Sequence, residues 1–375
     1  MNKARLFVVD NITLQKTIKT KIASIFTPIP EGKLWLKTFA DIMADMLQIE
    51  IGDYIFLWET KSGNQKNRIH GVYRAISKPF YEMGYESDRY PFKIYIEQAY
   101  KFDTPLDEYD VLNCPYIKTP LWTMIGKKVA GKSRGSTPLS QDETSKLITL
   151  LIGKNPNYTF YPFAANHIIS ITNPLKIDYT LKGEMTLEKQ TPELMKIDPN
   201  KLKYFNAENN VKYEKVLETI FNQEMSSRNS SFFSQIDIDV NKVIWFSNYL
   251  PYSIERTEID YLIIESDDKI NLSKIFLIEF MRGKIDNSHI YRSLLYSKWV
   301  DQTLGLGESL TQPIIICSKS YDFINGEKSP ANKIKMQEMN QYISDMTKAF
   351  ATKNLKIFTY DFSGPTPSFA KKLWW

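Results

Sequence analysis

The stretch from Arg256 to Lys284, RTEIDYLIIESDDKINLSKIFLIEFMRGK, decides how this chain is read. It holds two apolar runs, each with one acidic residue that hydrophobicity does not explain. Asp260 opens Tyr261-Leu262-Ile263-Ile264, and Glu279 closes Ile275-Phe276-Leu277-Ile278. Consecutive apolar residues of this kind predict strands buried on both faces. A carboxylate at the end of such a strand is costly to bury unless a positive group meets it. Two carboxylates on neighbouring strands therefore point to a divalent-cation site. The competing reading is a pair of strand-end acids neutralised by Arg256 or Lys284. For an arbitrary acid pair it is the commoner outcome.

Around this stretch the pattern alternates. Tyr213 to Phe221 (YEKVLETIF) has helical spacing, with Val216, Leu217, Ile220 and Phe221 on its apolar side. A strand, KVIWFSNYL, leads into the two strands above, and helix HIYRSLLYSKWV follows them. TQPIIICSK is a further buried strand. An amphipathic helix from Ala331 to Phe350 precedes a last strand, LKIFTYDF. The order is helix, three strands, helix, strand, helix, strand, and the domain is placed at 206–375. His289 reads as a solvated turn residue.

That order, with Asp260 on one central strand and Glu279 on the next, resembles the PD-(D/E)XK nuclease superfamily over roughly 206 to 362. The resemblance implies an α/β restriction-endonuclease-like domain with a central mixed sheet. It implies that Asp260 and Glu279 bind Mg²⁺, which activates a water and stabilises charge on the scissile phosphate. It also implies a further acid from the first helix. Glu214 and Glu218 are the candidates there, and Glu218 is preferred because it lies deeper along the apolar stripe. In the helix after the motif, Arg292 and Tyr296 stand where RecB-like members carry Gln-x-x-x-Tyr. Four residues apart, they face one way and can reach a phosphate. The departure is Met281, which stands where the family has its lysine. It leaves three readings: a deliberate lysine-to-methionine change, takeover by Lys284 or Arg282, or a domain that only binds nucleic acid. Alternation puts Met281 on the face of Glu279 and Arg282 opposite.

The first half begins with strand RLFVVD (5–10), a helical stretch from Thr13 to Ile25, and a break at Pro28, Pro30 and Gly32. Lys37 to Leu47 has helical spacing. DYIFLWET, a turn at Ser62-Gly63-Asn64, IHGVYRAIS and FKIYIEQAYKF then read as strands. Ser140 with Glu143 three residues on marks a helix start. The expected architecture is a small α+β domain over 1–153, a β-barrel with flanking helices. Residues 154–205 are read as a connecting region with strand-like pieces, HIISIT and KIDYTL, that can form a hairpin. Gly52-Asp53 and Gly71-Val72-Tyr73 make this part similar to the EVE, YTH and ASCH group of PUA-like domains. That resemblance implies nucleic-acid binding, with a modified base held in an aromatic pocket. Trp35, Trp58 and Trp122 are the pocket candidates, with Tyr54 and Tyr73 beside them. Trp35 sits in an expected loop. Lys127, Lys128, Lys132 and Arg134 lie in the glycine-rich run GKKVAGKSRGS and suit phosphates. That run lacks a Walker pattern.

The chain has 375 residues and a net charge of +5, enough length for two domains and a mild bias toward polyanionic partners. Cys114 and Cys317 are far apart and expected to be free thiols. No segment reaches the roughly 18 apolar residues of a membrane span, so a cytoplasmic location is expected. The functional expectation is a Mg²⁺-dependent DNA endonuclease of restriction type, acting as a homodimer and selecting methylated or otherwise modified DNA. The alternatives are a non-catalytic nucleic-acid-binding protein and a reader of modified RNA.

Overall fold

The computed structural model describes residues 3–26, 32–60, 67–82, 90–112, 136–172, 174–175, 177–178, 186–187, 211, 214–252, 257–268, 271–282, 285–304, 310–318, 330–353, 355–361 and 368–372. The chain forms two compact units. One comprises Met1–Lys176, Leu187–Ile197 and Ser253–Thr257; the other comprises Ile177–Thr186, Asp198–Tyr252 and Glu258–Trp375.

The first unit runs β1 (Ala4–Val9), α1 (Asn11–Thr20), β2 (Ile22–Ile25), α2 (Gly32–Leu47), β3 (Tyr54–Glu59), β4 (Arg68–Ala75), β5 (Phe80–Tyr81) and β6 (Phe92–Lys101). It continues with β7 (Leu106–Asp107), α3 (Glu108–Leu112), β8 (Ser136–Leu139), α4 (Gln141–Lys154) and β9 (Thr159–Phe160). Two expectations are corrected here. The helix expected to reach Ile25 stops at Thr20 because Lys21 turns left-handed (φ 58), and Ile22–Ile25 pairs with β6 instead. The next helix starts at Gly32 rather than Lys37, so Trp35 is helical and not in a loop. Ser140 and Glu143 form the expected capping box on α4, with the Glu143 N–H donating to Ser140 Oγ (3.2 Å) and the Ser140 N–H to Glu143 Oε2 (2.8 Å).

The sheet path is β2-β6-β4-β3-β1-β8, with β5, β7 and β9 pairing off it. β1 and β3 are parallel, and the other pairings given along the path are antiparallel. Register shifts at Phe56/Leu57 and Val72/Tyr73 bend the strands. Among the described residues the sheet curls as a half-barrel, and β2 and β8 do not pair to close it. Its core joins Leu6, Phe56, Val72 and Ala99 to Leu147 and Leu151 of α4. Residues beyond 153 are not merely a connection. The Tyr161 N–H donates to the Ala99 carbonyl (2.9 Å), Ile169 to Ile76 (2.7 Å) and Leu175 to Pro79 (2.7 Å). Further on, β10 (Ile177–Asp178) and β11 (Thr186–Leu187) pair as a two-stranded ribbon.

The second unit runs α5 (Glu214–Ser226), α6 (Ser230–Phe233), β12 (Val243–Tyr252), β13 (Thr257–Glu265), β14 (Lys274–Met281) and α7 (Asn287–Thr303). It closes with β15 (Thr311–Ser318), α8 (Pro330–Phe350), β16 (Lys356–Asp361) and β17 (Ser368–Lys372), the last of which the sequence did not announce. The strands form one mixed sheet in the order β12-β13-β14-β15-β16-β17. β13 and β14 are antiparallel; β14, β15 and β16 are parallel, which requires the crossover segments that α7 and α8 provide.

Both sheet faces are covered, which is why these strands read as unbroken apolar runs. On one face Phe221 of α5 meets Tyr261 and Phe280 with ring centroids 5.9 and 4.8 Å away. On the other, Met281, Ile315 and Cys317 pack with Ile290 and Leu294 of α7 and Ile343 of α8. Cys317 is a free, buried thiol; Cys114 lies outside the described residues. Among the described residues no helix is long and apolar enough to cross a membrane.

Candidate functional site

The ladder between β13 and β14 ends on the pair Tyr261–Ile278, and continuing its register sets Asp260 opposite Glu279. Directly opposed residues of an antiparallel pair project to the same face, so the two carboxylates share one surface. Each also bonds across the ladder. The Phe280 N–H donates to Asp260 Oδ2 (2.9 Å), and the Asp260 N–H lies 3.4 Å from Glu279 Oε1. Glu279 is buried, while Asp260 keeps a margin of exposure.

Helices bring the remaining charges from both sides of the sheet. Glu218 of α5 is fully buried and accepts from Lys215 Nζ through both oxygens (2.6 and 2.8 Å) and from Asn248 Nδ2 (2.8 Å). From α7, Arg292 Nη2 approaches Glu279 Oε2 at 3.1 Å as an ion pair. Tyr296, one turn on, is buried, and its hydroxyl adds to the negative surroundings of Arg292.

The electrostatics follow from this crowding. Burial pushes the Asp260 carboxyl well above the usual range, the Glu279 and Glu218 charges push it further, and Lys215 and the Phe280 N–H pull it partly back. Burial likewise raises Glu279 to about 7, against the pull of Arg292 and the Asp260 N–H. Burial outweighs the pull of Arg292 on Glu279 and of Lys215 on Asp260, so both carboxyls stay above their ordinary range. Among the described residues no group of three or more His, Cys, Asp or Glu side chains converges as a ready cage. Glu218 is held instead by Lys215 and Asn248. The donor set is thus the carboxylate pair of Asp260 and Glu279, with Glu279 Oε2 against Arg292. Such a pair fits Mg²⁺, which keeps most of its waters and takes one or two carboxylates.

Several sequence candidates fall elsewhere. Glu214 is exposed and accepts from the Arg282 N–H (3.3 Å) at the end of β14. Met281 lies in the apolar cluster under α7 and α8, and Arg282 is exposed. Arg256 and Lys284, the partners of the salt-bridge reading, lie outside the described residues; the cation that meets Glu279 is Arg292. His289 is not a turn residue. It sits in the first turn of α7, where its Nδ1 meets Asp286 in a capping box.

In the first unit the expected pocket is corrected in part. Trp58 and Tyr73 are buried, with Trp58 in the core of the sheet, so neither presents a face to a base. The Trp35 side chain, Trp122, Lys127, Lys128, Lys132 and Arg134 lie outside the described residues. Tyr54 belongs to a different aromatic group. Its ring sits 6.4 Å from Tyr100, which in turn lies 4.9 Å from Phe160. The buried Arg74 guanidinium lies 5.5 Å from the Tyr54 ring, 5.3 Å from Phe160 and 6.0 Å from Phe163, and donates to the Tyr161 carbonyl (2.7 Å). Tyr158, Phe160, Tyr161 and Phe163 are each at least 39 % exposed. The signal for this surface was the run Tyr-Thr-Phe-Tyr-Pro-Phe at 158–163. Lys215 and Asn248 were also missed, because neither a lysine beside a glutamate nor a strand asparagine is distinctive in sequence.

No protein-family model matches the chain, and no curated protein matches it. Solved structures similar to part of it include a hypothetical protein from Leishmania major, at 9% identity over 41% of this chain and 97% of that one, with a TM-score of 0.30. Protein Atu2648 from Agrobacterium tumefaciens is 16% identical over 43% of this chain and 99% of its own, with a TM-score of 0.29. The YTH domain of Mmi1, solved in complex with RNA, is 15% identical over 40% of this chain and 77% of that one, with a TM-score of 0.26. At these scores the likenesses bear on neither substrate nor reaction.

Proposed function

We propose that this chain is a nucleic-acid-binding protein whose second unit hydrolyses phosphodiester bonds with Mg²⁺ at the Asp260–Glu279 face. The observation that carries the reading is the opposed carboxylate pair. Burial holds both carboxyls above their ordinary range, with Glu279 and Glu218 adding to the rise at Asp260 and Glu218 at Glu279, and Arg292 of α7 meets Glu279. Mg²⁺ bound there would polarise the scissile phosphate and acidify the attacking water. The chain's own groups do the rest. Arg292 is half-exposed and exchanges Glu279 for a phosphate oxygen, with Tyr296 beside it. Asn248 and Lys215 hold Glu218 facing the pair. In the first unit, the surface around Arg74, Tyr54 and Phe160 offers ring faces on which bases stack.

In its fuller form the reading is a restriction-type DNA endonuclease. The first unit selects the site, with a modified base as the expected mark, and a homodimer cuts both strands. A second reading, a protein that binds nucleic acid without cutting it, is favoured by Met281, which brings no charge to the site from β14. Cleavage separates them. Unmodified plasmid, plasmid carrying modified cytosine, and RNA are incubated with Mg²⁺, Mn²⁺ or EDTA. Hydrolysis that needs the metal and disappears in Asp260→Asn supports the nuclease; no hydrolysis of any substrate supports the binder.

A further inference from the structure

The first unit holds a carboxylate that its surroundings leave half satisfied. The β3–β4 and β4–β6 ladders set Tyr54 opposite Arg74 and Arg74 opposite Glu97, so the three side chains form a row on one face of the sheet. Arg74 and Glu97 are neighbours of opposite charge, yet no ion pair joins them. The guanidinium lies against the Tyr54, Phe160 and Phe163 rings and donates to the Tyr161 carbonyl. Glu97 meets His167 instead, with Oε2 2.7 Å from Nδ1. Its Oε1 is buried and, among the described residues, has no hydrogen-bond partner. An acceptor left in that state costs free energy, and more when it carries charge. Backbone bonds from Tyr161 to Ala99 and from Ile169 to Ile76 fasten the segment that carries Phe160, Phe163 and His167, all three of them exposed. The Glu97 side chain is 19% exposed, so its carboxylate lies just below that surface. A further cation is not what the rings lack, because the guanidinium already occupies them. What remains on offer is exposed ring surface beside an acceptor.

We propose that this row is a guanine-reading subsite, in which an unpaired guanine stacks against the exposed Phe160 and Phe163 rings and donates from N1–H and its 2-amino group to Glu97. The proposal rests on the reading of the surface around Arg74 as one that binds nucleic acid. Ring faces accept every base, so stacking alone carries little sequence preference. The carboxylate supplies one. It only accepts, with about four lone-pair positions over its two oxygens. Guanine is the base whose pairing edge carries two N–H donors side by side. Adenine and cytosine set one amino group beside a bare ring nitrogen, whose lone pair repels the second oxygen. Thymine and uracil flank a single N–H with two carbonyls. Oε1 takes N1–H, and Oε2 takes the amino group on the lone pair that His167 leaves open. The pairing edge has to be free, so the ligand is a single strand or a base turned out of a duplex.

The test titrates the full chain into short fluorescent oligothymidylates and oligouridylates, each with one central guanine, hypoxanthine or adenine. Anisotropy is read in EDTA, so that no metal-dependent cleavage intervenes. Guanine is expected to bind about tenfold tighter than adenine, the worth of one bidentate contact. Hypoxanthine, which keeps N1–H and lacks the 2-amino group, is expected to fall between them. Glu97→Gln is expected to bring guanine to within about twofold of adenine and to leave adenine unchanged, whereas Arg74→Ala weakens all three alike. A guanine preference in either series supports the proposal, and the series that shows it says whether the strand is DNA or RNA. Equal affinity for the three bases in the parent, or a preference that a folded Glu97→Gln retains, would overturn the proposal while the binding reading stands. If Glu97→Gln is unfolded by circular dichroism, the comparison of guanine with hypoxanthine on the parent decides, because it removes the donor from the ligand and leaves the protein intact. A parent that binds none of the oligonucleotides would remove the nucleic-acid reading of this surface and the subsite with it.

Discussion

Glu279→Gln should make the metal-free protein more stable, by an amount that grows as pH rises from about 4.5 to 7 and is full above that. The folded carboxyl titrates at about 7 instead of 4.5, chiefly because it is buried. Protonation therefore favours the fold. The stabilising contribution is complete below the unfolded value and is lost as pH rises through 7. A shift of this size corresponds to on the order of 3 kcal/mol. Glutamine cannot ionise and keeps at pH 8 what the parent has lost. In a unit of this size that gain raises the midpoint by roughly 6–12 °C. At pH 5 the parent is already protonated when folded, and the gain shrinks below about 1 kcal/mol. Calorimetry in EDTA at both pH values reads the difference. Adding Mg²⁺ at pH 8 should then raise the parent midpoint and leave the variant unchanged. A variant destabilised at pH 8, or shifted equally at both pH values, would refute the claim that Glu279 is held there at a cost.

Three further outcomes follow from the packing. Phe221→Ala removes a fully buried ring that meets Phe232, Phe233, Tyr261, Phe280 and Phe369, and should cost about 3–5 kcal/mol in denaturant unfolding of the second unit. Asn155→Ala should cost about 2–4 kcal/mol in the first unit. Its side chain accepts from the Asp103 and Thr104 N–H groups and donates to the Thr104 and Leu151 carbonyls; a cost under 1 kcal/mol would count against a structural role for these bonds. Arg74→Ala should weaken binding of a fluorescent oligonucleotide about tenfold, by loosening the rings around it. Unchanged anisotropy titrations would remove that surface from the binding reading.

What was legible in the sequence was what periodicity and local chemistry control. The apolar runs flanking Asp260 and Glu279 became adjacent strands because each had to be covered on both faces. Ser140 and Glu143 capped a helix because a capping box is complete within four residues. The misses share a physical reason. Ile22–Ile25 continues a helical pattern, and only pairing with β6, some seventy residues away, makes it a strand. Trp58 looked available for a base because its neighbours in the core, Leu139 and Leu147, come from far along the chain. Lys215 was passed over because the carboxylate it meets, Glu218, is tied by Asn248 of β12, which no local spacing records.

The central claim is that Asp260 and Glu279 together hold a divalent cation. Isothermal titration of Mn²⁺ and Mg²⁺ into the parent, Asp260→Asn and Glu279→Gln tests it most directly, because it needs no substrate and no turnover. The account predicts one saturable site per chain in the parent and its loss in both variants. A parent that binds no metal, or variants that bind as the parent does, would contradict it.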